Sequence, residues 1–242
     1  MTDRQAFPQN LKILAIGDCN TAGTTQVSGS DTVPGQFSKL LEQQGIDCSI
    51  QNLGYTMSTS REGLSRSLYE ADNCDVLLLN FGLVDAWITS LPKIYISYYP
   101  DNPLKKIFRK LLKSLKKRLR GERIRKLIPV GHVVPAEEFS HNISQIINNV
   151  KQKSPDATIV LWGTVPVDAD EPRNTNLKIY DDILRNIAMS KAGLFLDTAK
   201  LLEGKSTKSL YLDTVHLSIE GTAYIGKKLF ELFSHDDQQA HP

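Results

Sequence analysis

Short apolar runs and longer stretches with helical periodicity alternate along most of the chain. The apolar runs are typical of buried strands, and they occupy residues 11–16, 49–53, 76–80, 158–162 and 194–197. Apolar positions three and four residues apart predict helices at about 33–44, 61–71, 137–153, 175–191 and 218–233. This alternation predicts an α/β fold, in which a five-stranded parallel sheet has helices on both faces. The length of 242 residues suits a single domain, 1–242.

One segment, at about 93–130, interrupts this alternation and is predicted to be a basic amphipathic helical insertion. Seven apolar residues at spacings of three and four form one stripe there: Leu104, Ile107, Phe108, Leu111, Leu112, Leu115 and Leu119. Between Lys105 and Lys126 lie 12 of the 29 Lys and Arg residues and one acid, Glu122, which leaves 17 basic and 26 acidic residues elsewhere. Such a helix binds an anionic membrane surface or an acidic partner such as a carrier protein, or it packs on its own domain with a solvated basic face.

The composition restricts the cellular setting and the kinds of binding site that we expect for this chain. Three cysteines, Cys19, Cys48 and Cys74, fit neither a disulfide framework nor a zinc site. We therefore expect a reducing, cytoplasmic setting, which is compatible with membrane-peripheral association through the basic segment. No stretch approaches the roughly 18 apolar residues of a membrane-spanning helix. Since no metal-ligand spacing or nucleic-acid motif is present, we expect no metal, no cofactor and no specific nucleic acid.

Residues whose side chains can take part in catalysis follow the predicted strands. They are therefore expected at the carboxyl ends of the strands, which is the edge where parallel sheets bind ligands. Cys19 follows the first strand, Gly54 the second and Asp85 the third, while Asp213 and His216 precede the last helix. A thiol, an imidazole and an orienting carboxylate are the groups that nucleophilic acyl transfer requires. Cys19 is then the nucleophile, His216 the base and Asp213 its orienter. The alternative for Cys19 is a small buried side chain without chemistry.

Four sequence blocks around these residues resemble those of the SGNH-type hydrolases, also called the GDSL family. They are Gly17-Asp18-Cys19, Asn52-Leu53-Gly54, Gly82-Leu83-Val84-Asp85 and Asp213-Thr214-Val215-His216, in this order over nearly the whole chain. The resemblance implies the SGNH hydrolase fold, a three-layer flavodoxin-like sandwich. It also implies that the backbone N–H groups of Cys19 and Gly54 form the oxyanion hole.

The chain departs from the family pattern at two positions, because Cys19 stands where the family has Ser and Val84 where the third block has Asn. A thiol whose pKa is lowered by His216 and by the N-terminus of the following helix is a competent nucleophile. Its acyl intermediate is a thioester, which amines and thiols attack readily. Val84 donates no hydrogen bond, and the loss of one oxyanion donor typically costs on the order of 10²–10³ in rate.

Five residues are candidates for the substrate pocket: Asn20, Val84, Asp85, Trp87 and His132. Asn20 either turns toward the site or closes an Asx turn. For Trp87 the alternative is ordinary packing, and for His132 it is a loop position without a role.

The sequence thus predicts an acyl-ester or acyl-thioester hydrolase, or an acyltransferase, that acts through a covalent acyl-Cys19 intermediate. Its substrate is a small-molecule or carrier-bound acyl compound, and O-acetylated sugars, lipid acyl chains and carrier-bound thioesters are all compatible with the sequence. The alternative is a catalytically weakened binding protein of the same fold, whose basic helix docks an acidic partner or an anionic membrane surface. That alternative follows from Val84 and predicts an inert Cys19.

Overall fold

The computed structural model describes residues 10–118, 129–205 and 207–239. Its strands are β1 (Leu11–Gly17), β2 (Cys48–Asn52), β3 (Val76–Asn80), β4 (Ile88–Ser90), β5 (Val130–His132), β6 (Thr158–Trp162) and β7 (Leu194–Leu196). Its helices are α1 (Cys19–Ala22), α2 (Val33–Gln43), α3 (Ser60–Tyr69), α4 (Pro103–Arg118), α5 (Ala136–Lys153), α6 (Glu171–Ser190), α7 (Thr198–Leu202), α8 (Thr207–Leu210) and α9 (Ile219–Gln239).

Five parallel strands form the main sheet in the order β2-β1-β3-β6-β7. Ile13 of β1 pairs with Ile50 of β2 on one side and with Val76 of β3 on the other. Every residue of β3 is buried, as is typical of a strand in a parallel sheet that is covered on both faces. The α/β class with a five-stranded parallel sheet is confirmed.

Two hydrophobic clusters fill the two sides of this sheet, and β1 contributes to both. Leu14 and Ile16 belong to the cluster beneath α3, α5 and α6, whereas Ile13 and Ala15 belong to the cluster beneath α2 and α9. The alternation follows from the two-residue period of a strand. Helices therefore cover both faces of the sheet, as the three-layer sandwich requires, and the carboxyl ends of β1 and β3 lie side by side at one edge.

Two helices differ in their bounds from the prediction. Helix α6 begins at Glu171, four residues before the predicted start at 175, because the Asp170 side chain caps it by accepting a hydrogen bond from the Arg173 N–H at 3.1 Å. Pro172 occupies its first turn, where the missing N–H costs no intrahelical bond. Helix α9 continues to Gln239 rather than ending at 233.

Two short strands that the sequence did not predict lie at the two ends of the segment that contains α4 and pair with each other. β4 pairs antiparallel with β5, so that Ile88 faces His132, and strands of three residues are too short to show a readable alternation. Helix α4 lies within the predicted basic segment, and the predicted end of its stripe at Leu119, like Lys126, lies outside the described residues. No helix in the described ranges is long and apolar enough to cross a membrane.

Candidate active site

Cys19 lies at the first position of α1, immediately after β1. A Cβ on Gly17 would lie 2.1 Å from Thr21 Oγ1 and 2.6 Å from the Asn80 carbonyl oxygen, so only glycine permits this turn. The buried Asp18 side chain caps α1 by accepting a hydrogen bond from the Asn20 N–H at 3.0 Å. The local sequence thus fixes the thiol at the carboxyl edge of the sheet.

Asp213 and His216 form a tight turn in which the two carboxylate oxygens have separate partners. Oδ1 of Asp213 accepts from the backbone N–H of Val215 at 2.8 Å and of His216 at 2.9 Å. Oδ2 lies 2.7 Å from Nδ1 of the His216 ring. Because a carboxylate at Nδ1 selects the tautomer with its proton on that atom, Nε2 is the ring nitrogen that is left to accept a proton.

The carboxylate of this pair stays ionised at neutral pH. Partial burial acts to raise the pKa of Asp213, but the hydrogen bonds from the His216 ring and from the Val215 and His216 N–H groups outweigh it and lower that pKa below its ordinary value. Asp213 can therefore orient the imidazole and stabilise an imidazolium.

The Asn20 side chain links the Asp213–His216 turn to the segment that contains Cys19, although Asn20 and Val215 are 195 residues apart in the sequence. Its Nδ2 donates to the Val215 carbonyl at 3.1 Å, and its Oδ1 accepts from the Leu217 N–H at 3.2 Å. The side chain is buried and both of its polar groups are engaged within the protein. Asn20 is thus neither an Asx-turn residue nor a free donor toward a substrate, and its contacts replace both predictions.

The Cys19 thiol is buried, with 4% of the residue exposed, and its pKa is raised well above the ordinary value. Burial is the main cause, and the Asp18 carboxylate adds to it, whereas the backbone N–H groups of Cys19 and Asn20 oppose it. Among the described residues, no hydrogen bond joins the sulfur to the His216 ring. The predicted lowering of this pKa by His216 and by the helix end was wrong in direction, because burial dominates.

Gly54 packs directly against α1, where a Cβ would lie 2.4 Å from the Ala22 nitrogen. Its N–H, the second predicted oxyanion donor, donates to Oδ1 of Asn52 at 2.8 Å. Asn52 in turn donates through Nδ2 to the Thr21 carbonyl at 2.9 Å. An oxyanion therefore has to displace the Asn52 oxygen before the Gly54 N–H can bind it.

The third block serves the interior rather than a substrate. Val84 is 2% and Asp85 0% exposed. Oδ1 of Asp85 accepts from the Ser60 N–H at 2.9 Å at the start of α3, and burial raises the pKa of Asp85 to about 7, against the hydrogen bonds from Ser60. The prediction that Asp85 lines the pocket is not supported, because its side chain is enclosed and binds the N-terminus of α3.

His132 also has a partner within the fold. Its Nδ1 donates to the Ala86 carbonyl at 3.0 Å, and its ring stands edge-on to Tyr180 with centroids 5.5 Å apart. This contact ties β5 to the third block, so His132 has a structural use that the sequence did not suggest.

Arg173 is not among the site residues that the sequence predicted. Its guanidinium lies 4.9 Å from the centre of the Trp87 ring. Burial lowers the pKa of Arg173, while the charges of Asp170 and of an ionised Cys19 act to raise it. Its Nε is buried and has no hydrogen-bond partner within the described residues. Arg173 thus brings a positive charge within electrostatic reach of the Cys19 sulfur, and Trp87, which is 42% exposed, lies beside it.

A separate cavity of about 800 Å³ lies between α6 and α7, lined by residues that include Pro166, Asp181, Arg185, Asp197 and Tyr211. It includes none of Cys19, Asp213 and His216, so we place the reacting centre at the sheet edge and not in this cavity. In the described ranges no group of three or more His, Cys, Asp or Glu side chains is arranged to hold a metal ion.

The model of the GDSL-like lipase/acylhydrolase family matches residues 15–224 of the chain. A comparison with curated proteins gives no match. Among solved structures, a lipase/acylhydrolase from Enterococcus faecalis is 17% identical, with a TM-score of 0.64 and coverage of 93% of this chain and 96% of that chain. At this identity the similarity shows a shared fold.

An acetylxylan esterase from Geobacillus stearothermophilus is 18% identical, with a TM-score of 0.60 and coverage of 91% of this chain and 94% of that chain. The matched structures of this esterase include catalytic mutants at a serine, an aspartate and a histidine. A protein named TesA is 13% identical, with a TM-score of 0.60 and coverage of 92% of this chain and 97% of that chain.

Proposed function

The chain belongs to the GDSL-like lipase/acylhydrolase family, a family of esterase-type hydrolases, and we propose that it cleaves or transfers acyl groups through a covalent acyl-Cys19 intermediate. His216 is the base in this proposal and Asp213 its orienter. The observation that carries it is the link from Asn20, next to the nucleophile, to the Asp213–His216 turn. These two hydrogen bonds tie the Asp213–His216 turn to the residue that follows Cys19, as a shared catalytic role of the three residues requires.

The acetylxylan esterase supports these roles. Its catalytic aspartate and histidine, as named by its mutants, are three positions apart, which is the spacing of Asp213 and His216. Another of its catalytic mutants is at a serine. The equivalent chemistry here uses a thiol, and the intermediate is a thioester.

The reaction has two balanced steps. His216 Nε2 accepts the thiol proton of Cys19 while the sulfur bonds to the acyl carbon, and the leaving alcohol or thiol then departs with that proton. Water or another acceptor next attacks the thioester, His216 again moves the proton, and Cys19 is released as a thiol. Because burial keeps the resting thiol neutral, proton removal has to accompany attack rather than precede it.

Arg173 supplies the electrostatic support that Val84 lacks. A partly buried guanidinium whose Nε has no hydrogen-bond partner among the described residues, within reach of the Cys19 charge, stabilises negative charge that develops on the acyl oxygen. The Cys19 N–H is the accompanying backbone donor in this proposal.

A second candidate function is a catalytically weakened binding protein of the same fold. Two observations favour it: the Gly54 N–H is occupied by Asn52, and the pKa of Cys19 is raised. This candidate predicts a thiol that forms no acyl adduct, so one experiment separates the two.

That experiment measures intact-protein mass after incubation with activated acyl esters and acyl thioesters. We expect a gain of one acyl group that is lost in Cys19→Ala, slowed in His216→Ala and slowed by about tenfold to a hundredfold in Arg173→Ala. Cys48→Ala is the matched control, since Cys48 is a partly exposed thiol away from the site. Added water, alcohol or amine acceptors then distinguish hydrolysis from transfer. An adduct that persists in Cys19→Ala, or none with any donor, overturns the proposal.

A further inference from the structure

Helix α4 turns its apolar side toward solvent. Five large apolar side chains of this helix are between 46% and 68% exposed: Leu104, Ile107, Phe108, Leu111 and Leu115. Their spacing of three and four residues places them on one side of the helix. The described residues of the chain leave this side uncovered.

A different strip of α4 faces the chain segment that precedes it. Lys105, Arg109, Leu112 and Lys116 are partly buried, and the three basic side chains bind residues of that segment. Lys105 Nζ donates to the Tyr99 carbonyl at 3.1 Å, Arg109 to the Ser97 carbonyl at 2.9 Å, and Lys116 to Thr89 Oγ1 at 2.8 Å. Because α4 is attached through its polar side, packing on the described part of its own domain does not account for the apolar stripe.

The charge of α4 is of one sign. The helix has eight Lys and Arg residues and no Asp or Glu, and a further strip of Lys106, Lys110, Lys113 and Lys117 is exposed. We propose that α4 lies in the plane of an anionic lipid bilayer, with the apolar stripe inserted between the headgroups and the lysines bound to lipid phosphates.

An anionic bilayer complements both the apolar stripe and the cations of α4, whereas each other candidate partner complements only one of them. An acidic protein partner meets the cations but provides no cover for five exposed apolar side chains unless it also offers an apolar groove. A second copy that pairs α4 with α4 covers the stripe but places eight cations against eight. An anionic bilayer supplies an apolar interior and a negative surface together. This proposal does not depend on the acyl-transfer chemistry.

The test is flotation of the full chain with vesicles of phosphatidylcholine alone or of phosphatidylcholine with phosphatidylglycerol. We expect binding to the anionic vesicles at least tenfold stronger than to the neutral ones, and weaker binding at high salt. Phe108→Ser with Leu111→Ser is expected to weaken it by about tenfold or more. Lys110→Glu with Lys113→Glu is expected to weaken it by a similar factor.

Matched controls come from α6 and α8. Ile179→Ser with Met189→Ser removes two exposed apolar side chains of that helix, and Lys178→Glu with Lys208→Glu reverses two exposed charges outside the insertion. These variants should bind as the parent does. Equal binding to both vesicles, no binding at low salt, or unaffected binding by the Phe108/Leu111 variant overturns the proposal. A concentration-dependent dimer that this variant abolishes, seen by sedimentation without lipid, assigns the surface to a second copy instead.

Discussion

Helices α5 and α4 have similar amphipathic patterns but opposite surroundings. In α5 the apolar side chains Phe139, Ile143 and Ile146 are fully buried against the sheet, whereas Phe108 and Leu111 of α4 are more than half exposed. Their polar sides differ as well: α5 begins with acids and ends with lysines, as the helix dipole favours, while α4 has cations only. An apolar stripe therefore predicts a helix, and the charges on its other side indicate what the stripe meets.

The proposed active site at the sheet edge and the insertion should differ in the same way, and the largest expected difference is in the acylation rate. Asp213→Asn removes the charge that orients His216, so we expect the acylation rate to fall by about 10²–10⁴-fold with a small soluble acyl ester. Lys113→Glu on α4 should leave that rate unchanged, because its exposed side chain lies outside the site. Stopped-flow release of the leaving group measures both. A comparable loss in the two variants would contradict the separation of the two regions.

The second largest expected difference is in the free energy of unfolding of variants in α5 and α4. Phe139→Ala empties a fully buried position and is expected to lower the free energy of unfolding by about 3–5 kcal/mol. Phe108→Ala removes the same ring from a position that is 58% exposed, and its effect should stay within about 0.5 kcal/mol. Urea titrations of both variants make this comparison. If Phe108→Ala costs more than about 2 kcal/mol, the α4 stripe is covered by the chain itself and the comparison fails.

The features that the sequence predicted correctly are local ones. The continuous apolar run of β3 lies within five neighbouring residues, and the Asp213–His216 pair within four. Their structure is therefore set by backbone geometry over a single element or turn. On α4, five of the seven predicted stripe residues share one exposed side, whereas Leu112 lies on the strip that contacts the preceding segment and Leu119 is outside the described residues.

The features that the sequence missed depend on distant segments. Asn20 binds a turn 195 residues away, and Arg173 reaches back to Trp87 from an ordinary-looking first helical turn. The pKa of Cys19 was predicted from two local effects, a helix end and a histidine. Burial, the larger effect, comes from the packing of the whole fold and has no signature in the nucleophile block.

The smallest expected effect concerns a buried and an exposed carboxylate on α6, Asp181 and Asp182, which again differ in their surroundings. Burial raises the pKa of Asp181 to about 7, against its hydrogen bonds from the Thr164 N–H and Oγ1. The folded state thus binds a proton that the unfolded state releases near pH 4, so this group makes stability fall as pH rises from about 4 to about 7. Asp181→Asn keeps both partners and should reduce that fall by about 1–3 kcal/mol between about pH 5 and pH 8. Urea titrations across this range measure it, and Asp182→Asn, an exposed neighbour, should follow the parent. Parallel profiles for the parent and Asp181→Asn would show that the buried carboxylate keeps its charge throughout.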